Sequence, residues 1–238
     1  MTMNKLVLWD IDGTLMYSGG VAGEAMRAAM LHVYGSFSAE ERHQYAGKTD
    51  QQIILEAFAD RGHDDLLGEL ELFTATYIEE LGRRRAEFLA RGRVLAGVAQ
   101  ALERLAAEPV VQSVLTGNLQ PIARIKLDMM RLADHLDLDV GAYGSDHHRR
   151  ASLVPIAAAR AERRYGRPFA GPDVIVIGDT PNDIDCGRAS GARTVAVATG
   201  PFSVDELRAH GADAVLADLS DTGAAIAAIL GALGDGRP

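Results

Sequence analysis

One cysteine in 238 residues, Cys186, leaves this chain without an internal disulfide or a multi-cysteine metal site. A reducing, cytoplasmic setting is the expectation. Positive charge is scarce as well. The 24 basic residues face 33 acidic ones for a net charge of −9, and only three are lysines: Lys5, Lys48 and Lys126. Such a balance, with no basic run, argues against nucleic acid as a partner. No apolar stretch approaches the roughly 18 residues that cross a bilayer, and the N-terminus lacks the basic-then-apolar order of a secretion signal. No membrane partner is expected. Internal repeats, low-complexity tracts and long linkers are absent, as are the G-x-x-x-x-G-K-[ST] phosphate loop and a G-x-G-x-x-G after the first apolar run. Readings as a nucleotide-binding fold are weak.

What the chain does have is a 47% hydrophobic composition, enough for one large or two small globular domains. It also has one stretch that concentrates chemistry, Leu6-Val7-Leu8-Trp9-Asp10-Ile11-Asp12-Gly13-Thr14. The apolar half reads as a strand buried on both faces of a parallel sheet. Residues i and i+2 of a strand point the same way, so Asp10 and Asp12 should project together at its C-terminal end. That edge of an open α/β sheet is where ligands sit. Two carboxylates forced together repel, and a divalent cation relieves the repulsion. Asp and Gly are also ordinary turn residues, so the rest of the chain must decide.

Helical spacing predicts helices over 21–34, 51–60 and 65–91, the last with Leu66, Leu70, Phe73, Tyr77, Leu81 and Phe88 as its apolar stripe. Ser38 with Glu41 resembles a capping box, and Ala46-Gly47-Lys48-Thr49-Asp50 a polar turn. Residues 16–92 therefore read as an all-helical insertion without strand signal. Beyond them apolar strands are predicted over 110–115, 174–177, 194–198 and 214–216, with a weaker candidate over 138–143 and helices over 97–107, up to 132, up to 165 and up to 233. Strands alternating with helices imply a Rossmann-like parallel sheet core flanked by helices, an α/β fold with right-handed crossovers.

Three of these strands end in small or acidic groups: Asp10 and Asp12, Thr116 and Asn118, Asp179 and Asp183. If all run parallel, these groups converge on one edge. Four aspartates suit a hard, oxygen-preferring cation such as Mg²⁺, and a metal beside a carboxylate nucleophile suits phosphoryl transfer.

With these three ordered motifs and a helical insertion after the first strand, the chain resembles the haloacid dehalogenase-like superfamily of phosphatases, on the phosphoglycolate phosphatase-like branch with a small helical cap. The resemblance implies a core of residues 1–15 and 93–238 and a cap of residues 16–92. It implies Asp10 as a nucleophile forming an aspartyl-phosphate, and Asp12 as general acid and then base, its backbone carbonyl also on Mg²⁺. Asp179 becomes a metal ligand beside Asp10, and Asp183 a ligand or its support. Thr116, Gly117 and Asn118 hold phosphoryl oxygens at a helix N-terminus. For Thr116 to Asn118 a plain helix cap is the competing reading, and for Asp183 a structural role.

One departure stands out. The family usually carries a lysine near the start of the helix before the third motif strand, and this chain has Ser145-Asp146-His147-His148-Arg149-Arg150 there. Arg150 or Arg149 is the first candidate to replace it, since guanidinium binds phosphate bidentately. Lys126 is a second, although eight residues into its helix it reads more readily as a solvated side chain. Lys48 is a third, approaching from the cap. In the cap, Lys48 and Thr49 are candidates for reading the leaving group, against a simple N-cap at Thr49 or Asp50. Gly19 and Gly20 would form the hinge. The expected partner is a small phosphorylated metabolite, and the expected assembly a monomer or homodimer. A mutase, a phosphonatase and a non-catalytic binding protein remain as alternatives, while the general acid Asp12 argues against a dehalogenase.

Overall fold

The computed structural model describes residues 4–35 and 45–231. The chain starts with β1 (Lys5–Trp9) and a two-residue strand β2 (Met16–Tyr17), then α1 (Val21–Tyr34), α2 (Asp50–Ala57), α3 (His63–Gly68), α4 (Leu70–Arg83), α5 (Arg85–Arg91) and β3 (Arg93–Val94). It continues through α6 (Val98–Ala106), β4 (Val110–Val114), α7 (Gln120–Met130), α8 (Leu153–Tyr165) and β5 (Val174–Gly178). It closes with α9 (Pro181–Ala189), β6 (Arg193–Val197), α10 (Val204–Ala209), β7 (Ala214–Leu216) and α11 (Thr222–Leu230).

The main sheet has the order β4-β1-β5-β6-β7 and is parallel throughout. Its central strands are apolar because both faces are covered. Val7, Trp9, Ile175 and Ile177 face the layer that holds α6 and α11, while Leu6, Leu8, Val174 and Val176 face Leu153, Val154 and Ala157 of α8. The period of two along each strand sets this division. The register matches Trp9 with Val114 on one side and with Ile177 on the other, so β4, β1 and β5 end at one level. Asp10, Thr116 and Asp179 consequently leave three adjacent strands on a common edge.

The insertion is tethered by strands that the sequence did not announce. β2 pairs antiparallel with β3, Met16 opposite Val94 and Tyr17 opposite Arg93; two-residue strands are too short to show a periodicity. α1 packs on α4, and Tyr34, Phe58, Phe73 and Tyr77 form an aromatic column with centroid spacings of 5.2 to 5.8 Å. The single helix expected over 65–91 is three, broken at Glu69 and Arg84. Gly68 and Gly82 lie just ahead of the breaks, where weak helix propensity lets the chain turn. Its apolar stripe nonetheless faces inward, with Leu66, Phe73, Leu81 and Phe88 fully buried. The strand expected over 138–143 is reduced to one bridge, Leu115 to Ala142, because the hydrogen bonds of Ser113 and Gln112 to the 137 turn already occupy that edge. Ser38 and Glu41, and the helix end near 233, lie outside the described residues.

Candidate active site

Asp10 sits immediately past β1, buried, its amide donating to Ile177 O at 2.8 Å. Asp179 and Asp183 come from the end of β5 and the first turn of α9. One oxygen from each of Asp10, Asp179 and Asp183 lies within 4.8 Å of the others, and all three residues are buried. Burial first, then the neighbouring carboxylates, pushes Asp10 up to about 6 and Asp179 well above the ordinary range. One guanidinium enters this cluster. Arg150 Nη2 stands 3.1 Å from Asp10 Oδ1 and 2.5 Å from Asp183 Oδ1. With all three carboxyls ionised, the trio and one arginine leave two negative charges on an all-oxygen donor set. A divalent, hard cation such as Mg²⁺ fits that set in charge and chemistry.

Asp12 lies apart from the cluster and half-exposed. Lys126 Nζ is 2.6 Å from its Oδ2, and Asn118 Nδ2 donates to the same oxygen at 2.8 Å. Lys126 also donates to Asn118 Oδ1 at 2.5 Å, while Asn118 Nδ2 reaches Thr116 Oγ1 at 2.8 Å. Asn118 thus ties the strand-end residues Asp12 and Thr116 to Lys126 of α7 through its side chain, where the sequence pointed to its backbone amide. Thr116 Oγ1 accepts both Asn118 bonds, so its own proton remains available to an acceptor.

The placement of Lys126 corrects the expectation of a solvated side chain: it is buried, in the heart of the site. Ile122, Ala123, Lys126 and Leu127 form the inward stripe of α7. Helical side chains tilt toward the N-terminus, so the long lysine stem recovers most of the axial distance. Two cations therefore stand at the strand ends, Arg150 at Asp10 and Lys126 at Asp12. Arg149 is a second correction. Exposed, it faces a separate cavity of about 490 Å³ shared with His63 and His148.

Asp183 serves two ends at once. Its Oδ2 accepts from the Thr180 amide at 3.0 Å and hydroxyl at 2.6 Å, the capping box of α9, while Oδ1 meets Arg150. The conformation of Gly13 (φ 85°) is as much a part of the site as any side chain. A Cβ there would lie 2.4 Å from an Asp179 oxygen.

The sequence profile of the haloacid dehalogenase-like hydrolases matches residues 7–188. The chain belongs to this family. A phosphoglycolate phosphatase of Chromobacterium violaceum is 24% identical over 218 residues, covering 91% of this chain and 95% of its own. Among solved structures, a predicted phosphatase from Clostridium acetobutylicum superposes with a TM-score of 0.69 at 17% identity, over 94% of this chain and 99% of its own. A Bacteroides vulgatus protein provisionally described as a β-phosphoglucomutase gives 0.68 at 22% identity, over 98% and 92%. The family and the Rossmann-like fold expected from the motifs are thereby shown.

In this hydrolase the start of α2 is stitched to the loops after β4 next to the carboxylates. Thr49 caps α2 and donates to His148 O at 2.6 Å, so its hydroxyl is spent on structure and turned from the site. The Asp50 amide donates to Gly117 O at 2.7 Å, and Asp50 Oδ2 accepts from the Leu119 amide at 2.8 Å. Gln51 donates to Gly144 O at 2.6 Å. The fit is close: a Cβ on Gly117 would stand 2.0 Å from Lys48 O. Lys48 borders the cavity, but its ammonium is 2.5 Å from Glu56. Sequence reasoning passed over Asp50 as a site residue, reading it as a helix cap. It is buried, borders the same cavity as Asp10 and Asp12, and burial pushes it up to about 6 against the lowering influence of Lys126. Thr14, which donates to Asp179 at 3.0 Å, was also missed. Its only sequence signal is its place in the first motif.

Proposed function

We propose that this hydrolase is a Mg²⁺-dependent phosphatase that cleaves the phosphate monoester of a small metabolite through an aspartyl-phosphate on Asp10. The juxtaposition that carries the reading is a metal-competent trio, Asp10, Asp179 and Asp183, beside a separate carboxylate, Asp12, held by Lys126 and Asn118. The Asp10, Asp179 and Asp183 carboxylates with the Asp12 backbone carbonyl would hold Mg²⁺. When bound, the ion screens the phosphoryl charge from the attacking carboxylate.

An Asp10 oxygen attacks phosphorus as the bond from phosphorus to the alcohol oxygen breaks, and Asp12 gives that oxygen its proton. Water then attacks the same phosphorus, Asp12 takes a proton from it, and the bond to Asp10 breaks to release inorganic phosphate. Lys126 and the Thr116 hydroxyl face the phosphoryl oxygens in this reading. An arriving phosphoryl group offers Lys126 a second anion beside Asp12. Arg150 keeps Asp10 and Asp183 in place.

Residues 16–92 act as the cap on a core of residues 1–15 and 93–238, with Gly19 and Gly20 as the hinge and Lys48 at the leaving-group side. The single buried cysteine suits a cytoplasmic setting.

Phosphate release from a panel of esters, with Mg²⁺ and with chelator, in wild type and Asp10→Asn, tests the proposal. Release that requires both the ion and Asp10 supports it. Release that survives Asp10→Asn refutes it. The likeness to a β-phosphoglucomutase favours one second reading, a mutase. It would yield an isomeric phosphate rather than inorganic phosphate.

A further inference from the structure

We propose that the substrate of this hydrolase is the phosphate ester of a bulky, largely apolar alcohol bearing one acidic group, selected by the open space at Gly23 and by Arg93. The inference rests on the phosphatase reading and deepens it. The cavity beside the carboxylates has a volume of about 680 Å³. Pockets of roughly 300–1,000 Å³ hold ligands of drug-like size, and a two-carbon acid would leave most of this one to water.

Much of the cavity's lining is apolar. Met16, Ala22, Met26, Ile53, Tyr77 and Leu95 border it. Two of its polar groups are committed already: the Tyr77 hydroxyl donates to Ala22 O at 3.1 Å and Lys48 is held by Glu56 at 2.5 Å. A sugar would surrender water from its hydroxyls and find few partners in exchange. An aromatic or branched apolar group surrenders nothing.

Gly23 lies in the first turn of α1 on this cavity, and a Cβ built on it meets nothing within 4 Å. Glycine inside a helix lowers stability relative to alanine. Here no crowding calls for it, so what its missing side chain provides is room in the cavity. Arg93, on β3, borders the same cavity. Its guanidinium stacks over the Tyr17 ring at 4.8 Å and has no carboxylate partner among the described residues. A cation fixed on an aromatic face beside an apolar pocket suits a planar acidic group such as a carboxylate.

The test compares kcat/KM for four esters: 1-naphthyl phosphate, 6-carboxy-2-naphthyl phosphate, phosphoglycolate and glucose 6-phosphate. Wild type, Gly23→Met, the milder Gly23→Ala and Arg93→Gln are assayed, with calorimetric binding of the carboxynaphthyl ester on an Asp10→Asn background. The carboxynaphthyl ester should be preferred over phosphoglycolate and glucose 6-phosphate by at least about 10-fold, the low end of pocket-based discrimination. Gly23→Met should cut that preference ratio about 10-fold or more, with Gly23→Ala intermediate. Arg93→Gln should erase the advantage of the carboxylated ester over the plain one. A two-carbon or hexose ester turned over as well as the naphthyl esters, or a ratio indifferent to both Gly23 variants, overturns the proposal. If no ester is turned over, the phosphatase reading falls and calorimetry decides the pocket separately. Binding that weakens about 10-fold in Gly23→Met upholds the proposal, and no binding, or binding indifferent to the variant, overturns it.

Discussion

Replacing Asp50 by asparagine should make this hydrolase more stable at neutral pH. The carboxyl is buried and raised from 3.8 to about 6, chiefly by burial, with the Asp12 charge adding and Lys126 and the Leu119 amide opposing. The folded protein therefore holds the Asp50 proton over a pH range in which the unfolded chain has released it. Stability from this group is complete below about pH 4, falls as pH rises between about 4 and 6, and stays at its lower value above that. A shift of about 2 units, at about 1.36 kcal/mol each, amounts to ~3 kcal/mol at pH 7.5. Asparagine keeps an oxygen for the Leu119 amide and has no charge to desolvate, so it should recover most of that amount. In a chain of this size each kcal/mol moves Tm by about 2–4 °C, so the gain should approach ~6–12 °C at pH 7.5 and vanish near pH 4. Urea midpoints of both proteins at the two pH values measure it, and the difference between them cancels the titration of Asp10 and Asp179. An Asp50→Asn protein that is less stable at pH 7.5, or whose gain is the same at both pH values, would refute the reasoning. The same variant should lose activity, since a charge kept at such a cost beside Lys126 and Asp12 serves the site.

Arg150→Met leaves Asp10 and Asp183 buried without their counter-charge, which should cost about 3–5 kcal/mol in chelator. The loss should shrink under saturating Mg²⁺ if those carboxylates bind it, a comparison that two denaturation curves supply. Lys126→Met removes one charged donor from the Asp12 side of the site, and phosphate release should fall by about 10²–10³ in kcat. A fall confined to KM would move Lys126 from the reacting phosphoryl group to general substrate binding.

Much of the fold was legible because buried parallel strands have a recognisable pattern: short, mainly apolar runs ending in Asp, Thr or Gly. The runs beginning at Leu6, Val110 and Val174 needed no tertiary information, and neither did the carboxylates that follow them. Elements decided by context were misread. Met16 and Tyr17 form a strand only because Val94 and Arg93 return beside them. Residues 138–143 contribute one bridge because turn hydrogen bonds at 112–113 come first. Gly68 and Gly82 marked the breaks in the long helix expected over 65–91, although its hydrophobic stripe ran straight through them.

Within the site the same division holds. Which residues carry charge at the strand ends is a property of the sequence, since a strand two residues per repeat and a turn of Gly and Asp fix where they project. Which cation meets which carboxylate is not. Arg149 and Arg150 are neighbours in sequence, yet one is exposed and the other buried between Asp10 and Asp183. Lys126 reaches Asp12 across 114 positions because α7 presents its inward stripe to the end of β1. Asp50 gains its raised proton affinity only where the clasp to Gly117 and Leu119 shuts it away from water. Sequence alone settles the buried parallel strands that begin at Leu6, Val110 and Val174, the carboxylates and their order, because local sterics and hydrophobicity set them. Pairing and desolvation depend on distances between segments far apart in the chain, and the tertiary structure alone decides those.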